Sequence, residues 1–228
     1  MINAVVFDLD HTLYDRYKTY VELMDSFTER FADRLADLPR EELLERMMRS
    51  DKEGLYYREW EGIFDHYIME GVFKKPPTYD EFYAYLKDAY PPCVVLFDDA
   101  VDTMKALHAM GLTTAILTNG EQDYQYSKIE HTELPPHMDF ILASREVGAE
   151  KPDPKPFRAI CEKIGIQPEE AIFVGDNPLK DVDGSRRVGM TPVWMRFITT
   201  WPDDLEPPEY AIDTPYGVVD IVKQLNAQ

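Results

Sequence analysis

The amino-acid sequence predicts an α/β fold, in which a parallel sheet carries helices on both faces and a helical segment is inserted after the first strand. Short apolar runs have the length and composition of buried strands, and they lie at about residues 2–8, 112–118, 139–143, 170–175 and 191–197. Helical spacing of apolar residues separates the later runs, and strands that alternate with helices favour a parallel sheet. In such a sheet, ligands bind beyond the C-terminal ends of the strands.

The helices of the predicted core follow from apolar residues that recur every three to four positions. This spacing predicts one helix over residues 99–110, another over 154–165 and a short closing helix near 216–225. Residues 202–215 are rich in proline and acidic side chains, so we expect an irregular acidic loop there.

Residues 16–95 interrupt the alternation of strands and helices. Long helical patterns fill this interval, and their apolar positions include Tyr20, Met24, Phe27, Phe31 and Leu35. Packing inside a helical bundle is the default explanation for such stripes, and a substrate-facing role for some members is the alternative. We therefore predict two domains, an α/β core of residues 1–15 and 96–228 and an inserted helical domain of residues 16–95.

Composition restricts the possible partners and the compartment. The net charge of −19 argues against a general affinity for nucleic acid or anionic membranes, because both require basic patches. Cys93 and Cys161 are far apart and have no metal-type spacing, which is compatible with a reducing compartment. No signal-type segment opens the sequence, and no apolar stretch approaches about 18 residues. We expect a soluble cytoplasmic protein; its oligomeric state is left open.

Two aspartates end the first predicted strand. Side chains at positions i and i+2 of a strand project to the same side, so Asp8 and Asp10 are expected to form a carboxylate pair just beyond the strand end. Like charges this close repel each other unless a cation or a shared proton relieves them. Alone, the pair is equally compatible with an N-terminal strand followed by a turn.

Three further polar clusters follow predicted strands or turns. Thr118, Asn119 and Gly120 end the second strand, Lys151 opens a proline-rich turn, and a later strand ends in Gly175-Asp176 with a further aspartate at position 181. Because the clusters occur in this order at strand or loop ends, we expect them to form one site.

This ordered set, Asp-x-Asp-x-Thr, strand-Thr-Asn-Gly, Lys-Pro and Gly-Asp-x4-Asp, resembles the haloacid dehalogenase (HAD) superfamily. The similarity runs from residue 2 to about residue 196 and is greatest to phosphatases with a helical cap inserted after the first strand. It implies a Rossmann-like core and a cap formed by residues 16–95.

The resemblance implies a role for each polar cluster. Asp8 would attack phosphorus, and Asp10 would act as a general acid and then as a general base. Thr118 and the backbone N–H groups of Leu9 and Asn119 would bind phosphoryl oxygens, and Lys151 would offset negative charge. The division of roles is chemically reasonable, because the nucleophile must be ionised while its neighbour must carry a proton.

The same resemblance implies a magnesium site. Asp8 and Asp176 would supply carboxylate oxygens and Asp10 its backbone carbonyl, and oxygen ligands with retained waters suit Mg²⁺. No histidine has a ligand-like partner at close spacing, so zinc is disfavoured. Asn177 would cap a helix that begins after Asp176. Asp181 would then orient Lys151 or contact the ion through water, or would simply favour the helix N-terminus.

The resulting functional hypothesis is Mg²⁺-dependent hydrolysis of a small-molecule phosphate monoester through an aspartyl-phosphate intermediate. Asp10 favours a phosphatase, since the dehalogenase branch lacks this aspartate and the phosphonate-cleaving branch replaces it with a small residue. A sugar phosphate mutase retains both aspartates and is the first alternative. A non-catalytic phosphate-binding regulatory module is the second. A phosphoacceptor receiver domain is disfavoured because its single compact domain has no place for the insert.

The substrate is not identified by these motifs. Tyr14, Arg16 and Tyr17 lie nearest in sequence to the predicted nucleophile and are possible substrate contacts, and Arg16 could bind a second anionic group; a surface or hinge role is an equally good interpretation of each. His11 lies between the motif residues, and strand alternation would direct its side chain to the opposite face.

Overall fold

A computed structural model of the chain describes residues 1–54 and 59–227. It divides into two compact units, which we call the sheet unit (Met1–Asp15 and Val95–Gln228) and the helical unit (Arg16–Val94). The second boundary lies one residue before the predicted one. Val95 belongs to the sheet unit, where its carbonyl accepts a hydrogen bond from the Asp15 backbone N–H at 2.9 Å.

Helices and strands alternate along the sheet unit, whereas the elements named below for the helical unit are helices. In chain order they are β1 (Ala4–Phe7), α1 (Arg16–Arg30), α2 (Arg40–Gly54), α3 (Glu59–Met69), α4 (Tyr79–Ala89), α5 (Ala100–Ala109), β2 (Thr113–Thr118), α6 (Gln122–Glu130), β3 (Phe140–Ala143), α7 (Pro154–Ile164), β4 (Ala171–Gly175), a π-helical segment (Pro178–Asp183), α8 (Gly184–Arg186), β5 (Thr191–Met195), β6 (Tyr210–Ile212) and α9 (Gly217–Asn226).

The sheet has the strand order β3-β2-β1-β4-β5-β6, and every neighbouring pair is parallel. This confirms the predicted α/β fold class. β1 lies inside the sheet, where Phe7 is in register with Ile116 of β2 and Val174 of β4. All four residues of β1 are fully buried, which explains its continuous apolar sequence.

The prediction of an irregular loop over residues 202–215 was wrong in one part. Residues 210–212 form β6, which pairs in parallel with Val193–Met195 of β5 at the edge of the sheet. The run is only three residues long and follows a segment rich in proline and acidic residues, so it has too few positions for a periodic pattern to be visible.

Helix α7 covers one face of the sheet with an apolar stripe. Phe157, Ile160 and Cys161 of this helix are buried against residues of β1, β2 and β4. The Phe157 ring meets the Phe173 ring edge to face, with centroids 5.0 Å apart. This packing holds the strands whose C-terminal ends carry the predicted site residues.

The helical unit has an aromatic core of its own. Phe27, Phe31, Phe73 and Phe82 are buried, with Phe27 and Phe31 5.2 Å apart between ring centroids. A buried ion pair joins Arg16 to Asp51, and the Tyr20 hydroxyl donates to the same carboxylate at 2.8 Å. Within residues 1–54 and 59–227, no helix combines the length and the apolar character that crossing a membrane requires.

Candidate active site

The predicted site residues of the sheet unit gather at the carboxyl edge of the sheet. Asp8 directly follows β1, Thr118 ends β2 and Asp176 directly follows β4, and β1 lies between the other two strands. The Asp8 backbone N–H donates to Val174 O at 2.8 Å, so hydrogen bonding to β4 continues one residue past β1. Parallel strands thus bring together residues that are more than a hundred positions apart in sequence.

Lys151 joins two aspartates. Its ammonium group donates to Asp8 Oδ1 at 2.6 Å and to Asp181 Oδ1 at 2.7 Å, and all three side chains are buried. Asn119 places the lysine, because its amide accepts from Lys151 N at 2.8 Å and donates to Lys151 O at 3.1 Å. The Thr-Asn-Gly and Lys-Pro motifs are therefore connected by a reciprocal pair of hydrogen bonds.

Burial dominates the ionisation of this cluster. It raises the pKa of Asp8 from 3.8 to about 7, although the charge on Lys151 acts in the opposite direction. Burial alone lowers the pKa of Lys151, but attraction to Asp181 and Asp8 outweighs it and the pKa is raised. Lys151 is accordingly a permanent cation, while Asp8 needs further positive charge to be fully ionised near neutral pH.

Asp8, Asp176 and Asp181 could hold a metal ion. One carboxylate oxygen from each lies within 4.8 Å of the others, and all three residues are buried. Burial raises the pKa of Asp176, and the charges on Asp181 and Asp8 add to this effect. When ionised, the three carboxylates outnumber the single ammonium of Lys151 by two charges. A divalent cation that prefers oxygen ligands, such as Mg²⁺, fits this donor set.

The loop after β4 supports the carboxylates. Asn177 accepts hydrogen bonds from the backbone of Leu179 (3.1 Å) and Lys180 (2.9 Å), as expected of a helix cap, although the helix that follows begins as a π-helical segment. Asp181 accepts a bond from Asn177 N at 2.9 Å. Asp181 therefore contacts both the cap residue Asn177 and Lys151. Of the roles considered for Asp181, these contacts favour that of orienting Lys151.

Residue 175 must be a glycine because the Asp181 side chain occupies the space that a Cβ atom would take. A Cβ atom there would lie 2.4–2.6 Å from the side chain of Asp181, nearer than atoms without a bond between them can approach. The glycine of the Gly-Asp motif thus leaves room for the carboxylate that contacts Lys151.

The Asp10 carboxylate forms an ion pair with Lys128, which the sequence did not predict. Lys128 of α6 donates to both Asp10 carboxylate oxygens at 3.0 Å, and the Tyr14 hydroxyl makes a short hydrogen bond to Oδ1. Asp8 and Asp10 are thus each paired with a different lysine. The metal contact predicted for Asp10 involves its backbone carbonyl and stays a prediction. The three carboxylates that could hold a metal ion are those of Asp8, Asp176 and Asp181.

Gln125 is a second residue that sequence reasoning missed. Its Oε1 accepts from Lys128 Nζ at 3.1 Å and from Thr118 Oγ1 at 3.3 Å. The buried face of α6 comprises Tyr124, Gln125, Lys128 and Ile129, half of it polar, so apolar periodicity gives no signal that this face is inside.

The predicted substrate contacts lie in different environments. Tyr14 is fully buried and bonds Asp10, whereas the guanidinium of Arg16 is buried in the ion pair with Asp51 described above. Tyr17 lies in α1 and is half-buried. An anion-binding role for Arg16 would require that pair to open, so the structure favours a structural role.

Strand alternation does not determine the direction of the His11 side chain, contrary to the prediction. β1 ends at Phe7, and His11 lies in the turn beyond it with a φ of 59°. Its ring is buried and tilted against Phe197, with centroids 5.6 Å apart. Leu9, whose backbone N–H is a predicted phosphoryl ligand, has a buried side chain in the same turn.

Comparisons with known proteins identify the family of this chain. A family model for haloacid dehalogenase-like hydrolases matches residues 5–195. A glyceraldehyde 3-phosphate phosphatase from Methanopyrus kandleri is 31% identical over 242 residues, covering 99% of both chains. A phosphoserine phosphatase from Thermus thermophilus is 43% identical over 100 residues, which are 44% of this chain and 40% of the relative.

Solved structures share the fold. A HAD phosphatase from Thermococcus onnurineus superimposes with a TM-score of 0.64 at 24% identity, covering 97% of this chain and 98% of the other. An L-2-haloacid dehalogenase from Xanthobacter autotrophicus gives a TM-score of 0.74 at 19% identity, covering 98% and 99%. The dehalogenase likeness concerns the fold alone. The sequence matches decide the branch, and the chain belongs to the haloacid dehalogenase-like hydrolase family, among its phosphatases.

Proposed function

We propose that this phosphatase hydrolyses a small-molecule phosphate monoester in two steps, through a phosphoryl group held covalently on Asp8. The observation that carries this proposal is the buried ion cluster of Asp8, Lys151 and Asp181, beside Asp176 at the carboxyl edge of the sheet. A carboxylate at the end of a central strand is a rigidly placed nucleophile, and carboxylates are known to form covalent phosphoryl intermediates.

In the first step, an Asp8 carboxylate oxygen attacks phosphorus and forms the new O–P bond. The bond between phosphorus and the ester oxygen breaks, and its electron pair stays with the leaving oxygen. Asp10 donates a proton to that oxygen, so the product leaves as an alcohol. Asp8 and Asp176 would hold a Mg²⁺ ion, whose charge would offset that of the phosphoryl oxygens and keep Asp8 ionised.

The second step regenerates the enzyme. Asp10, now a carboxylate, takes a proton from water, and the water oxygen attacks phosphorus as the Asp8 O–P bond breaks. Inorganic phosphate leaves and Asp8 again carries both of its oxygens. Lys151 stays charged in both steps because its pKa is raised by the aspartates beside it.

The phosphoryl group would be bound by Thr118 and by the backbone N–H groups of Leu9 and Asn119. In the structure Thr118 Oγ1 donates its one proton to Gln125 Oε1 at 3.3 Å, so its hydroxyl would turn from Gln125 to donate to a phosphoryl oxygen. We further propose that the helical unit is a cap that selects the substrate, on the basis of its position in the chain directly after the first motif. The cytoplasmic location stays a prediction.

Glyceraldehyde 3-phosphate is the first substrate to test, because a relative of that name is similar along the whole chain. Phosphoserine, phosphoglycolate and p-nitrophenyl phosphate complete the panel, each assayed with Mg²⁺ and with a chelator. The Asp8→Asn variant should lose turnover, while Asp220→Asn, at an exposed carboxylate of α9, should retain it.

Acid-quenched enzyme should carry a phosphoryl group on the peptide that contains Asp8, detectable by mass spectrometry during turnover. Full activity of Asp8→Asn, or release that is indifferent to chelation, would rule out the proposed mechanism. Release of a rearranged phosphate ester in place of inorganic phosphate would identify a mutase.

A further inference from the structure

Lys128 is a buried cation that the chemistry described above does not use. Its side chain is 2% exposed, although lysine is among the residues least often buried. It comes from the last turn of α6, 118 positions after the aspartate that it contacts. Taking an ammonium group out of water is costly unless charges and hydrogen bonds compensate for it.

The surroundings of Lys128 supply this compensation. Besides the two Asp10 oxygens, Gln125 Oε1 accepts from the ammonium at 3.1 Å. The Tyr124 ring lies 4.9 Å from the nitrogen and the Tyr14 ring 5.8 Å away, both within the range of a cation–π interaction. The ammonium is therefore held at a defined point, and so is the carboxylate that it binds.

The contacts to Asp10 fix the plane of its carboxylate. Lys128 is equidistant from the two oxygens, at 3.0 Å from each, and the Tyr14 hydroxyl contacts Oδ1. These contacts come from the turn after β1 and from α6, so both the position and the rotation of the carboxylate are restricted. An acid–base group needs such restriction, because proton transfer depends on the distance and direction to the reacting oxygen.

The same lysine connects Asp10 to the predicted phosphoryl-binding residue. Hydrogen bonds run from Asp10 through Lys128 and Gln125 to Thr118 Oγ1. Gly120 makes room for this connection, since a Cβ there would lie 2.7 Å from the Gln125 amide nitrogen. The proton-transfer group and a phosphoryl ligand are thereby held in one network.

We propose that Lys128 is a positioning residue that aims the Asp10 carboxylate at the oxygen of the leaving group. The proposal rests on the proposed function, because it assumes that Asp10 transfers protons in phosphate ester hydrolysis. Lys128 itself stays bonded to Asp10 and Gln125 and does not contact the substrate.

This role predicts a dependence on the leaving group. An alkyl phosphate releases a strongly basic alkoxide that needs a proton, whereas 2,4-dinitrophenyl phosphate releases a stable phenolate that does not. kcat/KM reports the steps up to departure of this group, so the later hydrolysis of the intermediate does not affect it. Loss of Lys128 should therefore lower kcat/KM for the alkyl substrate far more than for the aryl one.

The experiment compares wild type, Lys128→Met and Lys128→Arg on both substrates. We expect Lys128→Met to lose at least about tenfold more kcat/KM on the alkyl phosphate than on the aryl phosphate, a part of the roughly 10²–10⁴-fold that general acid catalysis supplies. Lys128→Arg, which retains the charge and donors, should restore part of the difference. Lys223→Met, at an exposed lysine paired with Asp220, is the matched control and should behave as wild type.

Tyr14→Phe provides a second test if Lys128→Met does not fold, since it removes one donor to Asp10 and should show the same selectivity to a smaller degree. Equal losses on the two substrates, or none, would overturn the proposed role of Lys128. Absence of phosphate release by wild type from either substrate would instead contradict the proposed function.

Discussion

Stability in the absence of divalent cations should fall as the pH rises from 5 to 8, and Asp8 should cause a measurable part of the fall. The pKa of its carboxyl is about 7 in the folded protein, against 3.8 as its ordinary value. Between these values the folded protein holds a proton that the unfolded chain has already released. The folded state is therefore favoured at low pH, and this advantage is lost as the pH rises through 7.

The magnitude follows from the size of the shift. About two pH units separate pH 5 from the folded pKa, and each unit corresponds to about 1.36 kcal/mol. The Asp8 contribution to the loss between pH 5 and pH 8 is then about 3 kcal/mol. For a chain of this length that loss corresponds to a fall in Tm of roughly 6–12 °C.

The assay is thermal unfolding of wild type and Asp8→Asn at pH 5 and pH 8, in chelator and in Mg²⁺. The asparagine variant lacks the titrating group, so the difference between the two proteins reports the Asp8 carboxyl together with the effect of its charge on Asp176 and Lys151. Mg²⁺ should raise the Tm of wild type more at pH 8 than at pH 5, because protons compete for the same oxygens. This gain should largely disappear in Asp8→Asn.

Equal pH dependence of the two proteins in chelator would refute the reasoning, since Asp8 would then titrate alike in the folded and unfolded states. If the wild type became more stable relative to the variant as the pH rises, the predicted direction of the pH dependence would be wrong. Mg²⁺ stabilisation that survives in Asp8→Asn would remove this aspartate from the metal site.

Two further substitutions test a close contact at the candidate site and a helix cap in the helical unit. Gly175→Ala should lower activity strongly, because its Cβ would displace the Asp181 side chain that contacts Lys151; phosphate release measured beside circular dichroism separates this from unfolding, and wild-type turnover would contradict it. Thr78→Ala should destabilise the helical unit by about 0.5–2 kcal/mol, because Thr78 Oγ1 caps α4 at the backbone N–H of Glu81; denaturant unfolding measures this loss, and Thr78→Ser should retain most of the stability.

The sheet was predictable because its strands are continuous apolar runs with polar motifs at their ends. β1 to β5 lie within the predicted runs, and α5, α7 and α9 lie close to the predicted helices. Each of these signals is local, since a buried strand or an amphipathic helix shows its environment in its own residues. β6 has only three residues and lacks such a signal.

The side-chain partners at the site were only partly predictable. Lys151 could be placed beside Asp8 because it belongs to a motif of the resembled family, and the structure joins them at 2.6 Å. Lys128 and Gln125 belong to none of these motifs. Their positions depend on how α6 packs, and a polar residue on a buried helix face has the same local sequence as one in solvent.

The order of strands in the sheet has a consequence for synthesis of the chain. Lys151 follows Asp8 by 143 positions, and Asp181 is later still. β1 cannot complete its pairing until β4 has left the ribosome, so the strand before Asp8, the proposed nucleophile, stays incompletely paired while the residues between β1 and β4 are synthesised. Pairings this distant in sequence form slowly. Phosphatase activity would therefore appear only after β4 has been made, and a nascent chain that stops before β4 would carry Asp8, the proposed nucleophile, without Asp176 and Asp181.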